Sequence, residues 1–154
     1  MFSATFNKAA RQLATHHLAN DHCKIRVGRA GSTHQNIKQD IVYVEREQKN
    51  QALIDLLMSL PPARTIIFVN AKQQCDEVDD FLFNLSMPCT SVHAGRTQKE
   101  REDAIRAFRV GKCPILIATP LAARGLDIKN VAHVINYDLP RQGGIEEYMH
   151  RIGQ

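Results

Sequence analysis

Ile115-Leu116-Ile117-Ala118-Thr119-Pro120-Leu121-Ala122-Ala123-Arg124-Gly125-Leu126-Asp127 decides the fold. Four successive apolar residues run into a loop holding a hydroxyl, an arginine, a glycine and a carboxylate. A strand apolar at every position is buried on both faces, as strands of parallel α/β sheets are. The polar loop leaving its C-terminal end lies at the edge where such sheets bind ligands. Arg124 suits a phosphate, Gly125 permits close backbone approach, and Asp127 suits a ribose hydroxyl.

Outward from this stretch, strand and helix patterns alternate. Thr65-Ile66-Ile67-Phe68-Val69 reads as a second buried strand, Cys89 to His93 as a short strand, and Val131 to Tyr137 as another. Between them, Lys49 to Leu60 places Leu53, Leu56, Leu57 and Leu60 on one helical face. Asn70 with Gln73 reads as an N-cap opening a helix to about Leu85, and Thr97 with Glu100 as a capping box opening one to Arg109. Glu146 begins a last helix. This alternation predicts a parallel sheet covered by helices. Upstream, Ile37 to Val44 alternates like a strand, Asn7 to Leu18 has helical spacing, and Ile25-Arg26-Val27 could be a short strand. The Gly28-Arg29-Ala30-Gly31-Ser32-Thr33 run makes residues 28–36 a linker.

With 154 residues, 44% hydrophobic and 23% charged, the composition fits one folded domain and excludes a disordered chain. No apolar run is long enough to span a bilayer and no basic-then-apolar leader opens the chain, so an intracellular, cytoplasmic or nuclear protein is expected. Cys23, Cys75, Cys89 and Cys113 form no C-x-x-C pair; reduced thiols and no metal site are expected. The net charge of +4 is uneven: residues 1–38 carry +5 and the remainder −1. Such asymmetry suits a polyanion contacting the N-terminal part.

Several segments invite chemical readings. Gly28 to Thr33 lacks the Gly-Lys-Ser/Thr of a phosphate loop, so the chain has no nucleotide cradle of its own. Asp79-Asp80 and Glu146-Glu147 point about 100° apart on a helix and read as solvated faces. His93-Ala94-Gly95-Arg96 precedes a helix start, where backbone N–H groups and Arg96 would suit a phosphate. His150 and Arg151 sit at the end of a short helix, where without context a capping arginine and an exposed histidine explain them.

Taken together these segments resemble, over essentially the whole chain, the C-terminal half of a DEAD-box ATP-dependent RNA helicase. Ser3-Ala4-Thr5 is similar to motif III, residues 28–36 to the interdomain linker, and Ile66-Ile67-Phe68-Val69 to motif IV. Gln98 and Arg101 fit the Q-x-x-R element, Thr119 to Asp127 motif V, and His150-Arg151-Ile152-Gly153 motif VI. Val27-Gly28-Arg29 with Gly31-Ser32 resembles the Ded1, DDX3 and Vasa branch. The resemblance implies a RecA-like α/β domain: residues 1–27 would end helicase domain 1, and 37–154 would be a second domain cut short within motif VI.

It further implies RNA-backbone contacts from Phe68, Arg96, Gln98, Arg101, Thr119 and Arg124. Gly125, Asp127 and Arg151 would face ATP with magnesium in a site completed by helicase domain 1, and His150 would couple to motif III. Catalytic roles would fall to His150 and Arg151. The implied protein is a monomeric RNA-stimulated ATPase that unwinds RNA duplexes, with this chain inactive alone. Departures are Gln154 in place of an arginine, Pro120 in motif V, Ala94-Gly95 in place of Gly-Asp or Gly-Gly, and Asn7 in place of a proline. Glutamine lacks the charge and the bidentate grip of a guanidinium. Two other readings are an autonomous RNA-binding or regulatory module without ATPase activity, and a Snf2-type ATPase, whose motif VI resembles His150 to Gln154.

Overall fold

The computed structural model describes residues 8–25, 36–123, 126, 128–141 and 144–153. Four strands, β1 (Thr65–Phe68), β2 (Cys89–Val92), β3 (Ile115–Ala118) and β4 (His133–Asn136), form one parallel sheet in the order β2-β3-β1-β4. The register sets Ile67 beside Ile117 and Ile135, so three apolar runs stack across the sheet. Six helices accompany it: α1 (Lys8–His17), α2 (Lys49–Ser59), α3 (Lys72–Asn84), α4 (Gln98–Arg109), α5 (Pro120–Ala123) and α6 (Gly144–Ile152).

Alternation along β1 and β3 feeds two cores. Ile66, Phe68, Leu116 and Ala118 pack with Ala104 and Phe108 of α4 and with Ala122 and Ala123 of α5. Ile67, Val69, Ile115 and Ile117 pack on the other face with Leu53 of α2 and with Cys75, Val78 and Leu82 of α3. The result is the three-layer arrangement expected for a RecA-like domain: a parallel sheet between helices, all strands pointing one way. Burying the side chain of a residue such as Leu116 or Phe108 is worth roughly 1.5–3 kcal/mol each.

Four local expectations change. Ile37 to Val44 forms no strand; Ile41 and Tyr43 are each 92% exposed. Alternation makes a strand only where a neighbouring strand pairs with it, and among the described residues no strand pairs with this segment. Asn70 is not the cap of α3. Ala71 takes that position with no side-chain bond, because Asn70 is drawn to partners across the sheet. Pro120 lies at the first position of α5, where its missing N–H is no loss. Ile25 is exposed and outside any strand. The Thr97 capping box forms as read: Thr97 accepts from the Glu100 amide and Glu100 reaches back to the Thr97 N–H.

Candidate nucleic-acid and nucleotide edge

Because all four strands are parallel, the segments leaving their C-terminal ends gather along one edge. These are Val69-Asn70 after β1, His93 to Thr97 after β2, Thr119 after β3, and Tyr137 to Leu139 after β4. The Thr119 N–H donates to the Val92 carbonyl at 3.2 Å, which ties the loops after β2 and β3 together. The Asp138 N–H donates to the Phe68 carbonyl at 3.3 Å, which ties those after β1 and β4. The edge thus divides into two halves.

The β1/β4 half is organised around Arg151 of α6, whose residue is 2% exposed. Its guanidinium donates to the Asp138 carbonyl (2.6 Å), Asn70 Oδ1 (2.8 Å) and Asn136 Oδ1 (3.2 Å). Glu147, one turn earlier on α6, approaches Nε at 3.6 Å, and the guanidinium carbon stands 5.4 Å from the centre of the Phe68 ring. Burial lowers the pKa of Arg151 from its ordinary value, and Glu147 opposes that shift. Asn70 also donates to the Leu139 carbonyl, and its N–H to Asp138 Oδ2. Lys49 completes the loop clamp, 2.7 Å from Asp138 Oδ1 and 5.0 Å from the centre of the Tyr137 ring.

Two readings change here. Glu147 is a buried partner of Arg151, not part of a solvated face. Phe68 is 1% exposed, so its ring lies in the core under Arg151 and presents no face to a ligand. The guanidinium expected at ATP is spent on internal oxygens. Its neighbour His150 is half-buried on the same helix.

The β2 half holds Arg96, Gln98 and Arg101. Gln98 is exposed at the first position of α4 and bonds Glu102 one turn on. Arg101 is half-buried, and its Nε is enclosed without a hydrogen-bond partner among the described residues. Thr119 is half-buried beside them, its carbonyl accepting from Ala122 and Ala123 at the start of α5. The anion site read at the start of α4 is already filled from within. Glu100 takes the Thr97 N–H at 2.7 Å and the Thr97 hydroxyl at 2.8 Å, and these bonds hold its carboxyl below the usual range.

Arg96 is likewise engaged, with Asp76 at 2.8 Å, Ser91 at 3.2 Å and Asp79 at 3.9 Å. Asp79 accepts from Ser91 (2.6 Å) and from the Cys89 thiol (3.2 Å), so it too is no bystander on a solvated face. Sequence reasoning missed Asn70, Asn136, Asp138, Lys49 and Asp76. Only the isolated polar residues at the ends of apolar strands could have signalled the first three. Ser3, Ala4, Thr5, Arg124, Gly125, Asp127, Gln154 and the linker up to residue 35 lie outside the described residues. Among the described residues, no helix is long and apolar enough to cross a membrane.

A profile of the helicase conserved C-terminal domain matches residues 48–154. Among solved structures, the E. coli DEAD-box protein SrmB, bound to regulator of ribonuclease activity A, is 36% identical. That match covers 69% of this chain and 62% of the solved chain, with a TM-score of 0.61. S. cerevisiae Dbp5 bound to RNA and ADP BeF3 is 31% identical over 99% of this chain and 40% of its own, with a TM-score of 0.80. A DEAD box protein from the hyperthermophile Methanococcus jannaschii is 34% identical over 99% and 40%, with a TM-score of 0.73. The chain therefore spans less than two thirds of each of these proteins. With its parallel sheet and the profile match over most of its length, this chain belongs to the helicase conserved C-terminal domain family, and the proteins it resembles in structure are DEAD-box proteins.

Proposed function

We propose that this chain is the second helicase unit of a DEAD-box ATP-dependent RNA helicase, gripping the RNA backbone and contributing one side of an ATP site, and inactive alone. The observation that carries the reading is the shared C-terminal edge of the sheet. There Gln98, Arg101 and Thr119 stand on adjoining elements within a fold of the helicase family. Arg101 is half-buried at this edge, and a guanidinium suits phosphate oxygens. Contacts of this kind position a strand and carry little sequence information.

The fit to ATP is partial. The chain has no Gly-Lys-Ser/Thr loop, and Arg151 is committed to Asn70, Asn136 and Asp138. Arg151 is therefore assigned to holding α6 and His150 in place. Arg124, Gly125 and Asp127 remain the proposed nucleotide and RNA contacts of the β3 loop. ATP with magnesium would supply the phosphoryl chemistry in a site closed by a first helicase domain, with residues 1–27 as that domain's end and 28–36 as the connection. The Gly28-Arg29 and Gly31-Ser32 pattern supports placement in the Ded1, DDX3 and Vasa branch.

ATP hydrolysis is to be measured with the chain alone, with single-stranded RNA, and with a matching first domain added in trans. Turnover only in the three-component mixture is expected. Robust turnover by the chain alone would refute the half-site assignment.

A further inference from the structure

His93 to Thr97 joins β2 to α4 and sets where Gln98 and Arg101 stand. The ring of His93 is buried. The Gly95 N–H donates to its Nδ1 at 3.1 Å, so in the neutral ring the proton is on Nε2, which donates to Asp76 Oδ1 at 3.0 Å. That same oxygen accepts from Arg96 at 2.8 Å. A Cβ on Gly95 would lie 3.0 Å from Nδ1, so only glycine allows this approach without moving the ring.

Three donors that an incoming phosphate would use in this loop already have acceptors. The Gly95 amide has His93, the Thr97 amide has Glu100, and the Arg96 guanidinium has Asp76 and Ser91. The charge around Arg96 argues the same way. Asp76 and Asp79 both lie within 4 Å of its NH2, and a phosphate approaching it meets their negative charge. All three ties converge on one guanidinium nitrogen, Nη2, which reaches α3 and β2 together.

We propose that Arg96 is a positioning residue and not a phosphate ligand: it locks α3 to the loop after β2 and thereby fixes the start of α4. Its consequence for RNA rests on the proposed RNA contact through Gln98 and Arg101; the lock itself does not.

The test uses the whole chain and two readouts. Amide exchange at Gly95 and Thr97 should quicken by about fivefold in Arg96→Gln, as expected for losing a partly solvated charged bond, and Asp76→Asn should reproduce it. Binding of fluorescent oligouridylate across a salt series should weaken in Arg96→Gln with the salt slope unchanged. Loss of a true phosphate contact would shrink that slope by roughly 0.7, as Arg101→Gln is expected to do. A reduced slope with unaltered amide exchange would overturn the assignment. Should the glutamine variant unfold, Arg96→Lys keeps the charge on a side chain one bond shorter, which falls short of the place Nη2 occupies. The lock predicts faster exchange in it, and slow exchange with full RNA binding would overturn the lock. If the unsubstituted chain binds no oligouridylate, the RNA contact fails while amide exchange still decides the role of Arg96.

Discussion

Arg151 and Arg96 sit at opposite halves of the same sheet edge and are held by opposite means. Arg151 is enclosed and bound chiefly by uncharged oxygens, with Glu147 at 3.6 Å and an aromatic ring nearby. Arg96 has a side chain 34% exposed and leans on two carboxylates. A buried charge cannot fall back on water, so removing its partners or the charge itself is costly. A partly solvated one is screened, and its ion pairs are worth little. The β1/β4 half is therefore rigid scaffold, whereas the β2 half, with exposed Gln98 and half-buried Arg101, is the part able to exchange internal partners for a ligand.

The sharpest way to break this contrast is to remove each arginine. Arg151→Ala should cost about 3–5 kcal/mol, because it removes the buried charge facing Glu147 together with the bonds to Asn70, Asn136 and the Asp138 carbonyl. Arg96→Ala should cost about 1 kcal/mol or less once solvent screening is allowed for. Urea unfolding followed by far-UV dichroism gives both values, and comparable losses would mean that the two halves do not differ as described. Arg151→Lys should recover only part of the loss, since an ammonium cannot span Asn70, Asn136 and Asp138 as a planar fork does.

The layered fold was legible because three apolar runs and the helical faces between them each carried one period. The strands after β1 needed no other signal, and Thr97 with Glu100 announced α4. The site was legible only as a list of residue types. Arg96 reads as a phosphate ligand because it stands beside a helix start, and Arg151 only because His150 to Gly153 resemble motif VI. What each guanidinium bonds depends on residues far along the chain: Asp76 is 20 positions from Arg96, and Asn70 is 81 from Arg151. Ile37 to Val44 failed for a related reason. Its period was right, yet pairing is a property of two strands.

Thr97→Ala removes the cap of α4 and should cost about 1 kcal/mol in the same unfolding assay. It also frees Glu100 from the bonds that hold its carboxyl low. With the folded value lowered, that contribution is present above the ordinary carboxyl value of 4.5 and fades as pH falls through the folded one. The unsubstituted chain should lose this increment on acidification, and Thr97→Ala should show a flatter acid limb.

The smallest effect should appear on the alkaline side, again in the β2 half. The Cys89 thiol is pushed up to about 12 by burial and by its bond to Asp79, and Cys75 is pushed up to about 12 mainly by burial. Both folded values exceed the ordinary 9.0, so their stabilisation is whole below that pH and declines as pH rises toward 12. The thiolate is the nucleophile, so at pH 8 iodoacetamide should modify exposed Cys23 well before either of these. Asp79→Asn removes both the bond and the charge that oppose ionisation of Cys89, whereas Cys75 loses only a charge effect smaller than those of its burial and of Asp76. Cys89 should then gain reactivity selectively, and an equal gain at Cys75 would indicate general loosening of β2 instead of loss of one bond.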